Sequence, residues 1–388
     1  MRILYHHRLG SKDGQYVHVT EIIKSLQKQG HEVVVVEPRM LEKNDFGGET
    51  PLVALLKKCM PQFLYEIAEF SYSFIAFVKI MYAGVRNKPE VIYERFSLYM
   101  IAGVVAKRLL GIPLILEINA PLYEERSEDL TISLNKFARW TQYYTFMQAD
   151  LLLPVTGVLA KSLKDYDVPD AKVDVVHNGI NTEIFSFLGS KQAYRQDIGI
   201  PNRITVGFVG FLRGWHKLEY LLEAFSKATA GRNVTLLIIG DGPGKDELVE
   251  LAERLGIEER VLVTGIVDRE TMPDYIAALD IAILPNVVRY SSPLKLFEYL
   301  AMQCAVIAPD TDNIREVLVD GETALLFEKG QVNDLANKIK DLLDHPDLRE
   351  KIAIAGRNLI TRSRYTWDDN SMRIVEHAHE LIAKRSNR

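Results

Sequence analysis

Cysteine is scarce: Cys59 and Cys304 are the only two in 388 residues. They stand far apart, and Cys304 falls in an apolar, strand-like run where a buried free thiol is common. That excludes a disulfide frame and implies a reducing compartment. Long hydrophobic runs are missing too. No stretch reaches the roughly 18 apolar residues that a spanning helix needs, and the N-terminus, from Met1 to Arg8, has no secretory apolar core. A cytoplasmic protein is expected. The nine histidines show no ligand spacing; His377 and His379, two apart on a helix, would point in different directions, so no structural metal is expected. A net charge of −5 argues against bulk nucleic-acid binding.

What is present is ordinary globular composition, 47% apolar and 26% charged, in a chain too long for one core and suited to two domains. Short apolar runs alternate with helical patterns. Strands are expected at Ile3 to Tyr5, Val33 to Val36, Val91 to Glu94 and Leu114 to Glu117, and a second series opens at Ile204 after the polar segment 186–202. Such alternation builds parallel sheets with helices on both faces, and ligands bind at the carboxyl ends of their strands. The fold class is therefore α/β, with two Rossmann-like, doubly wound domains. The first is expected over 1–185, the second over 186–365. Residues 333–383 read as successive amphipathic helices, with Trp367 between the last two.

The stretch from Arg289 to Gln303 suggests where an anion sits. It follows a short buried-strand pattern from Asp280 to Pro285. Ser291 or Ser292 is then expected as N-cap and Pro293 at the first helical position, with Leu294, Phe297, Leu300 and Ala301 on one apolar stripe. Lys295 falls in the first turn, where the helix dipole disfavours a cation unless something negative binds there. Free amides, hydroxyls and one ammonium suit a phosphate or diphosphate. Glu298 shares the face of Lys295 and could accept hydrogen bonds from sugar hydroxyls; the alternative is an ordinary surface pair of the two.

Residues 61–83 form the most hydrophobic helical region, with Phe63, Ile67, Phe70, Phe74, Phe77, Val78 and Met81, flanked by Lys57, Lys58, Lys79, Arg86 and Lys88. Aromatic residues beside cations suit a helix on an anionic membrane surface. The same stripe suits a domain core, which is its commoner use.

The stretch from Arg289 to Pro309 resembles the sugar-nucleotide signature of the retaining glycosyltransferases of the GT-B fold, family 4. That pattern carries two glutamates, Glu-x-Phe-Gly-x-x-x-x-Glu-Ala-Met-Ala-x-Gly. Glu298 matches the second, Tyr290 stands at the first, and Gln303 replaces the closing glycine. The wording is nearer to a subgroup reading Ser-Pro-x-Lys-x-x-Glu-Tyr. The resemblance runs through nearly the whole chain. Asp13-Gly14 and His18-Val19 match a Gly-Gly-x-x-x-His-Val loop with one glycine missing, although His18 reads equally as a capping or packing residue. Asn119 takes the place of a histidine that touches the donor sugar, within Asn-Ala-Pro-Leu followed by Glu124 and Glu125. The family's Gly-Arg-Leu and Lys-Gly positions fall on Phe211 and His216, leaving Arg213 and, less favourably, Lys217 to supply charge. Gly240-Asp-Gly242-Pro matches a turn bordering the donor pocket, and the strand ending near Ile266 one whose main chain meets the base. Residues 173–177 match a closing strand of the first domain, after which His177, Asn178 and Gly179 would approach the interdomain cleft.

The resemblance implies two domains facing a central cleft, with a C-terminal helix over 366–388 crossing back to the first. It implies a nucleoside-diphosphate sugar as donor, carried on UDP or GDP, a sugar or lipid-linked acceptor, and retention. It implies no metal or other cofactor and no nucleic-acid partner. By this reading Lys295, Arg213 and Glu298 are catalytic. Gly14, Asn119, Gly240, Gly242, Ile266, Tyr290, Ser291, Ser292, Pro293 and Leu294 join Glu298 in donor binding, while His18 and Glu124 meet the acceptor. The role would lie in glycan, polysaccharide or glycolipid synthesis, with possible peripheral membrane contact through 57–88. Asp310 and Asp312 imitate a metal motif of another glycosyltransferase fold; Asp312 is expected instead to cap a helix. Two rivals remain. Tyr290, Phe211 and Asn119 at usually polar or charged positions would suit a catalytically silent nucleotide-binding subunit. An NAD-dependent enzyme, suggested by Glu37 at the end of the second strand, is opposed by Gly10 and Gly14, which do not spell Gly-x-Gly-x-x-Gly.

Overall fold

The computed structural model describes residues 1–10, 14–38 and 60–386. Asp13, Lys57, Lys58 and Cys59, singled out above, lie outside them. The chain forms two units, Met1–His177 with Trp367–Arg388, and Asn178–Thr366.

The first unit holds β1 (Arg2–His6), β2 (Glu32–Val36), β3 (Val91–Arg95), β4 (Leu114–Ile118) and β5 (Leu151–Pro154), all parallel, in the order β2-β1-β3-β4-β5. The second holds β6 (Ile204–Val209), β7 (Val234–Ile239), β8 (Val261–Val263), β9 (Ile281–Ile283), β10 (Ala305–Pro309) and β11 (Leu325–Phe327), also parallel, in the order β11-β10-β9-β6-β7-β8. These are the two doubly wound sheets that the alternation predicts. In each, strand order reverses once, between β1 and β3 and between β6 and β9. The loops leaving those strands flank the crevice where ligands bind in such sheets.

Burial explains the elements. The helix Leu218–Ala228 buries Leu218, Leu221, Leu222, Phe225 and Ala228, a stripe at helical spacing, against Val206, Phe208 and Ile238 of the sheet. The opposite sheet face is covered by Leu296, Phe297, Tyr299 and Leu300 of the helix Leu294–Ala301. The terminal helix Trp367–Ser386 packs within the first unit. Lys28 Nζ lies 2.6 Å from Asp368 Oδ2, Asp174 accepts from Arg373 and pairs with His377, and Trp367 meets the His18 ring edge to face at 5.0 Å.

Four expectations need correction. The division falls between His177 and Asn178, earlier than residue 185, because Ile180 and Phe185 are buried in the second unit's core and Ile180 N–H bonds Tyr365 O. Trp367 opens the last helix rather than preceding it. Residues 173–177 make only an isolated bridge, Val173 with Leu152, rather than a strand. Thr311 is the N-cap of the short helix Asp312–Arg315, and Asp312 is its first residue; Asp310 instead pairs with Arg315.

The helix Gln62–Asn87 buries small and polar residues with Ile80 and turns most of its large apolar ones outward. Its buried residues are Glu66, Ser73, Ala76, Ile80, Ala83 and Gly84, while Phe74 is 70% and Val85 67% exposed. Glu66 accepts from Tyr99 Oη and from the Ser133 and Leu134 amides, and Ser73 Oγ accepts from Ile101 N–H. Those bonds make a polar inward face tenable. The core reading of this stripe is overturned for Phe63, Ile67, Phe74 and Val78, all exposed; Phe70 turns inward and meets Phe137 edge to face at 4.9 Å.

Candidate active site

In the second unit, the loops after β6, β7 and β9 are pressed together at the strand ends. Gly210 N–H bonds Ile239 O at 3.0 Å and Leu212 N–H bonds Asp241 O at 2.8 Å. A Cβ on Gly240 would stand 2.1 Å from Gly210 O, and one on Gly242 2.6 Å from Leu212 N. Both glycines also have positive φ, 145° and 154°, so the turn tolerates no side chain. Gly240 bridges Gly265, which places exposed Ile266 directly after the turn's neighbour.

Lys295 opens onto this floor. Its Nζ lies 4.2 Å from the Phe208 ring centroid and would meet a Cβ on Gly210 at 2.6 Å. Among the described residues its ammonium makes no hydrogen bond or ion pair. Burial pulls its pKa from 10.5 down to about 7, against the upward pull of Glu298. His216 meets the other side of Phe208 at 5.1 Å. Burial first, then Lys295 and Arg213, push His216 down to about 3, so it is neutral near pH 7. The Arg213 guanidinium lies over Phe211 at 4.8 Å and Trp215 at 4.7 Å, which fixes where its charge stands.

The start of the Lys295 helix differs from the sequence reading. Pro293 is the N-cap and Leu294 the first residue, with no side-chain cap. Ser292 is diverted: its hydroxyl accepts from Asn178 N–H at 3.0 Å, while Asn178 Nδ2 donates to Ser292 O at 2.5 Å. Asn313 Nδ2 donates to Ser291 O, and Ser291 Oγ to Val288 O, which fixes the loop leading in from the Tyr290 turn. Glu298 is buried, 3.8 Å from Arg269 Nη1, so it forms no pair with Lys295. Its neighbour Tyr299 accepts from Val209 N–H at 2.7 Å and pins the helix to β6. The second unit thus gathers Lys295, Arg213, Glu298, Gly240, Gly242, Ile266, Tyr290, Ser291, Ser292, Pro293 and Leu294 around one set of strand ends. A diphosphate would find there two cations and a helix N-terminus.

Sequence reasoning missed Phe208, Gly210 and Arg269, and placed Asn178 near a cleft without its bond to Ser292. Glycines inside the apolar run of β6 were the available signal, since glycine in a strand marks close backbone approach. Arg269 gave none.

The strand ends of the first unit hold a different cluster. Glu117 is its centre: Arg95 Nη1 donates to Oε1 at 2.8 Å, Asn119 Nδ2 to Oε1 at 2.5 Å and Tyr93 Oη to Oε2 at 2.6 Å, with His18 Nε2 2.9 Å from Oε2. Burial would raise its carboxyl, but His18, Arg95 and the Tyr93 bond hold it well below the ordinary carboxylate range. His6 Nδ1 lies 2.7 Å from Glu94 Oε2, and burial lowers the neighbouring His7 to about 4. His18 is held between Glu117 and Trp367. Glu124 accepts from Tyr166 Oη and Gln142 Nε2, which engages both its oxygens. Gly14 is exposed at the start of the helix Gly14–Lys28, with open space where a Cβ would stand. Among the described residues no group of three or more His, Cys, Asp or Glu could hold a metal ion.

Residues 190–359 match the family model of glycosyl transferases group 1, and residues 12–184 that of Glycosyltransferase Family 4. The alpha-D-kanosaminyltransferase of Streptomyces kanamyceticus is 25% identical over 261 residues, 63% of this chain and 65% of that protein, so the chain spans less than two thirds of it. The N-acetyl-alpha-D-glucosaminyl L-malate synthase of Bacillus anthracis is 23% identical over 367 residues, 90% of each chain. Among solved structures, Anabaena Alr3699/HepE in complex with UDP superposes with a TM-score of 0.77 at 19% identity, over 98% of this chain and 100% of that one, a likeness of fold.

Proposed function

Because the chain belongs to the group 1, family 4 glycosyltransferases of the GT-B fold, we propose that it moves a sugar from a UDP- or GDP-sugar to a hydroxyl acceptor, with retention and without a resident metal. The observation that carries this reading is Lys295: a cation over Phe208 at 4.2 Å, at the start of a helix, which makes no hydrogen bond or ion pair among the described residues and feels only the more distant pull of Glu298. A diphosphate supplies the missing charge.

In this mechanism the bond from the anomeric carbon to the diphosphate oxygen breaks as the acceptor oxygen bonds to the same carbon from the same face. The acceptor's proton passes to the departing phosphate. Lys295, Arg213 and the first amides of the helix Leu294–Ala301 stabilise the charge growing on the leaving group, which is electrostatic catalysis by donors set in place beforehand. Glu298 accepts from the ribose hydroxyls, and the main chain at Gly265 and Ile266 borders the base. His18 and Asn119 act through Glu117, the group that both of them bond. The acceptor is a sugar or a lipid-linked sugar.

The test is calorimetric titration of the full chain with UDP, GDP, ADP and NAD, EDTA present throughout. One nucleoside diphosphate binding tightly, and losing its affinity in Lys295→Met, is the expected result. Binding of NAD alone, or of none of the four, overturns the reading.

A further inference from the structure

Among the described residues, nothing of the first unit covers the outward stripe of the helix Gln62–Asn87. Phe63, Leu64, Ile67, Phe74, Ile75, Val78, Tyr82 and Val85 are each between 39% and 70% exposed. They follow helical spacing along a rod about 39 Å long. Single exposed apolar residues need no explanation, but a continuous stripe marks a surface that something covers.

A second helix meets the first at one point. Phe137 of Asn135–Gln148 takes the Phe70 ring edge to face at 4.9 Å and stacks within its own helix on Trp140 at 5.9 Å. The second helix turns Lys136, Arg139, Trp140 and Tyr143 to solvent. Close by, Leu130 is 89% exposed with φ 54°, at a turn whose next carbonyl, Thr131 O, accepts from Gln62 Nε2. A bulky residue held left-handed and outward is costly unless something receives it.

Charge identifies the occupant. On the first helix the carboxylates are Glu66, buried under Tyr99, and Glu69, paired with Arg8 and Arg126; Lys79 is half-buried and donates to Glu37 O, and the exposed ions are Arg86 and, at the cap, Lys88. The second helix, from Asn135 to Gln148, contains no acid at all. Exposed Glu128 and Asp129 precede Leu130, but the outward faces of the two helices are apolar and cationic on a chain of net charge −5, and Trp and Tyr beside Lys and Arg are the make-up of a membrane-interface surface.

We propose that these two helices, with Leu130, form a docking surface for an anionic lipid bilayer, the apolar stripe entering the acyl boundary and the cations meeting headgroup phosphates. The proposal goes beyond the transfer reading and does not depend on it. No helix among the described residues is long and apolar enough to cross a membrane, so the contact is peripheral.

The test is flotation of the full chain with phosphatidylcholine vesicles, with and without phosphatidylglycerol, at low and high salt, and with no donor present. The chain should float with the anionic vesicles and release as salt rises. Phe74→Ser with Val78→Ser, and separately Lys136→Glu with Arg139→Glu, should each weaken binding at least about tenfold, since each cation near such a surface is worth about 1 kcal/mol. All four positions are exposed, so unchanged melting of both variants separates lost docking from lost folding. Failure to float, or equal binding by the variants, overturns the proposal. So does a concentration-dependent dimer that Phe74→Ser dissolves, because the occupant would then be a second copy. Donor binding by the same preparation is read apart, so failure here leaves the transfer reading standing.

Discussion

Glu117 and Lys295 stand in comparable places, at the carboxyl ends of two parallel sheets of one design, yet their surroundings treat charge in opposite ways. Glu117 has four partners within 3 Å, two of them His18 and Arg95. Lys295 has an aromatic ring and a glycine. A buried charge is tenable only when paired or when its pKa gives way. The first cluster follows the first route at Glu117, although Glu94 Oε1 and Tyr5 Oη near it are buried without a hydrogen bond among the described residues. The second follows the other and stays open to an anion. Density of polar residues is therefore a poor guide to where a ligand binds; the unanswered group is the better one.

Removing each centre should fail in a different way, and the largest effect belongs to Lys295. Lys295→Met keeps the stem over Phe208 and removes the ammonium. Turnover should fall by about two to three orders of magnitude, the usual loss of one preorganised donor to a leaving group, while the melting temperature holds or rises because a buried cation is gone. Retained turnover would remove Lys295 from the chemistry. Glu117→Gln should show the reverse emphasis. It leaves Arg95 and His18 buried without their anion, and loss of one partner from a buried ionic cluster costs about 3 kcal/mol or more. Denaturant titration reads it; a variant as stable as the parent would show that the cluster is not held by charge.

Gly240→Ala sharpens the comparison on the backbone. The new Cβ would stand 2.1 Å from Gly210 O at a φ of 145°, and Gly210 is the floor under Lys295. A loss of about 2 kcal/mol in stability is expected, together with weaker diphosphate binding. Gly14→Ala, with open space around it, should change stability by no more than about 0.5 kcal/mol. Equal effects at both positions would show that the tight approach is not what the second site depends on.

The fold was largely legible because strands and helices alternate with clear periods; the strand expected from Val91 to Glu94 is β3, Val91–Arg95. Periodicity names a stripe but not the side it faces. For Gln62–Asn87 the stripe faces out because Glu66 and Ser73 find partners at Tyr99, Ile101, Ser133 and Leu134, pairings that no local pattern encodes. The Lys295 helix shows the same limit. Serine before proline reads as a cap, yet Ser292 is claimed by Asn178, 114 residues earlier, and the cap passes to Pro293. Two departures from the family pattern proved smaller than they read. Lys217 and Gln303, standing where the family pattern has glycine, keep left-handed φ of 54° and 53°. The backbone turn survives there without the residue that favours it.

The smallest effect expected is also the most specific, since it titrates the open site alone. Free Lys295 has a pKa of about 7. A bound diphosphate favours the protonated amine and raises that value, so binding takes up a proton wherever the free amine is neutral. The sign follows by linkage: affinity is flat below pH 7, then falls as pH rises, by at most tenfold per unit, until the pKa of the complex is passed. Calorimetry near pH 8 in two buffers of different ionisation heat should show uptake approaching one proton. His216, neutral throughout that range, contributes nothing to it. In Lys295→Met both the slope and the uptake should vanish. If the slope persisted there, the titrating group would lie elsewhere, and the contrast between an open and a closed cluster would have to be redrawn around it.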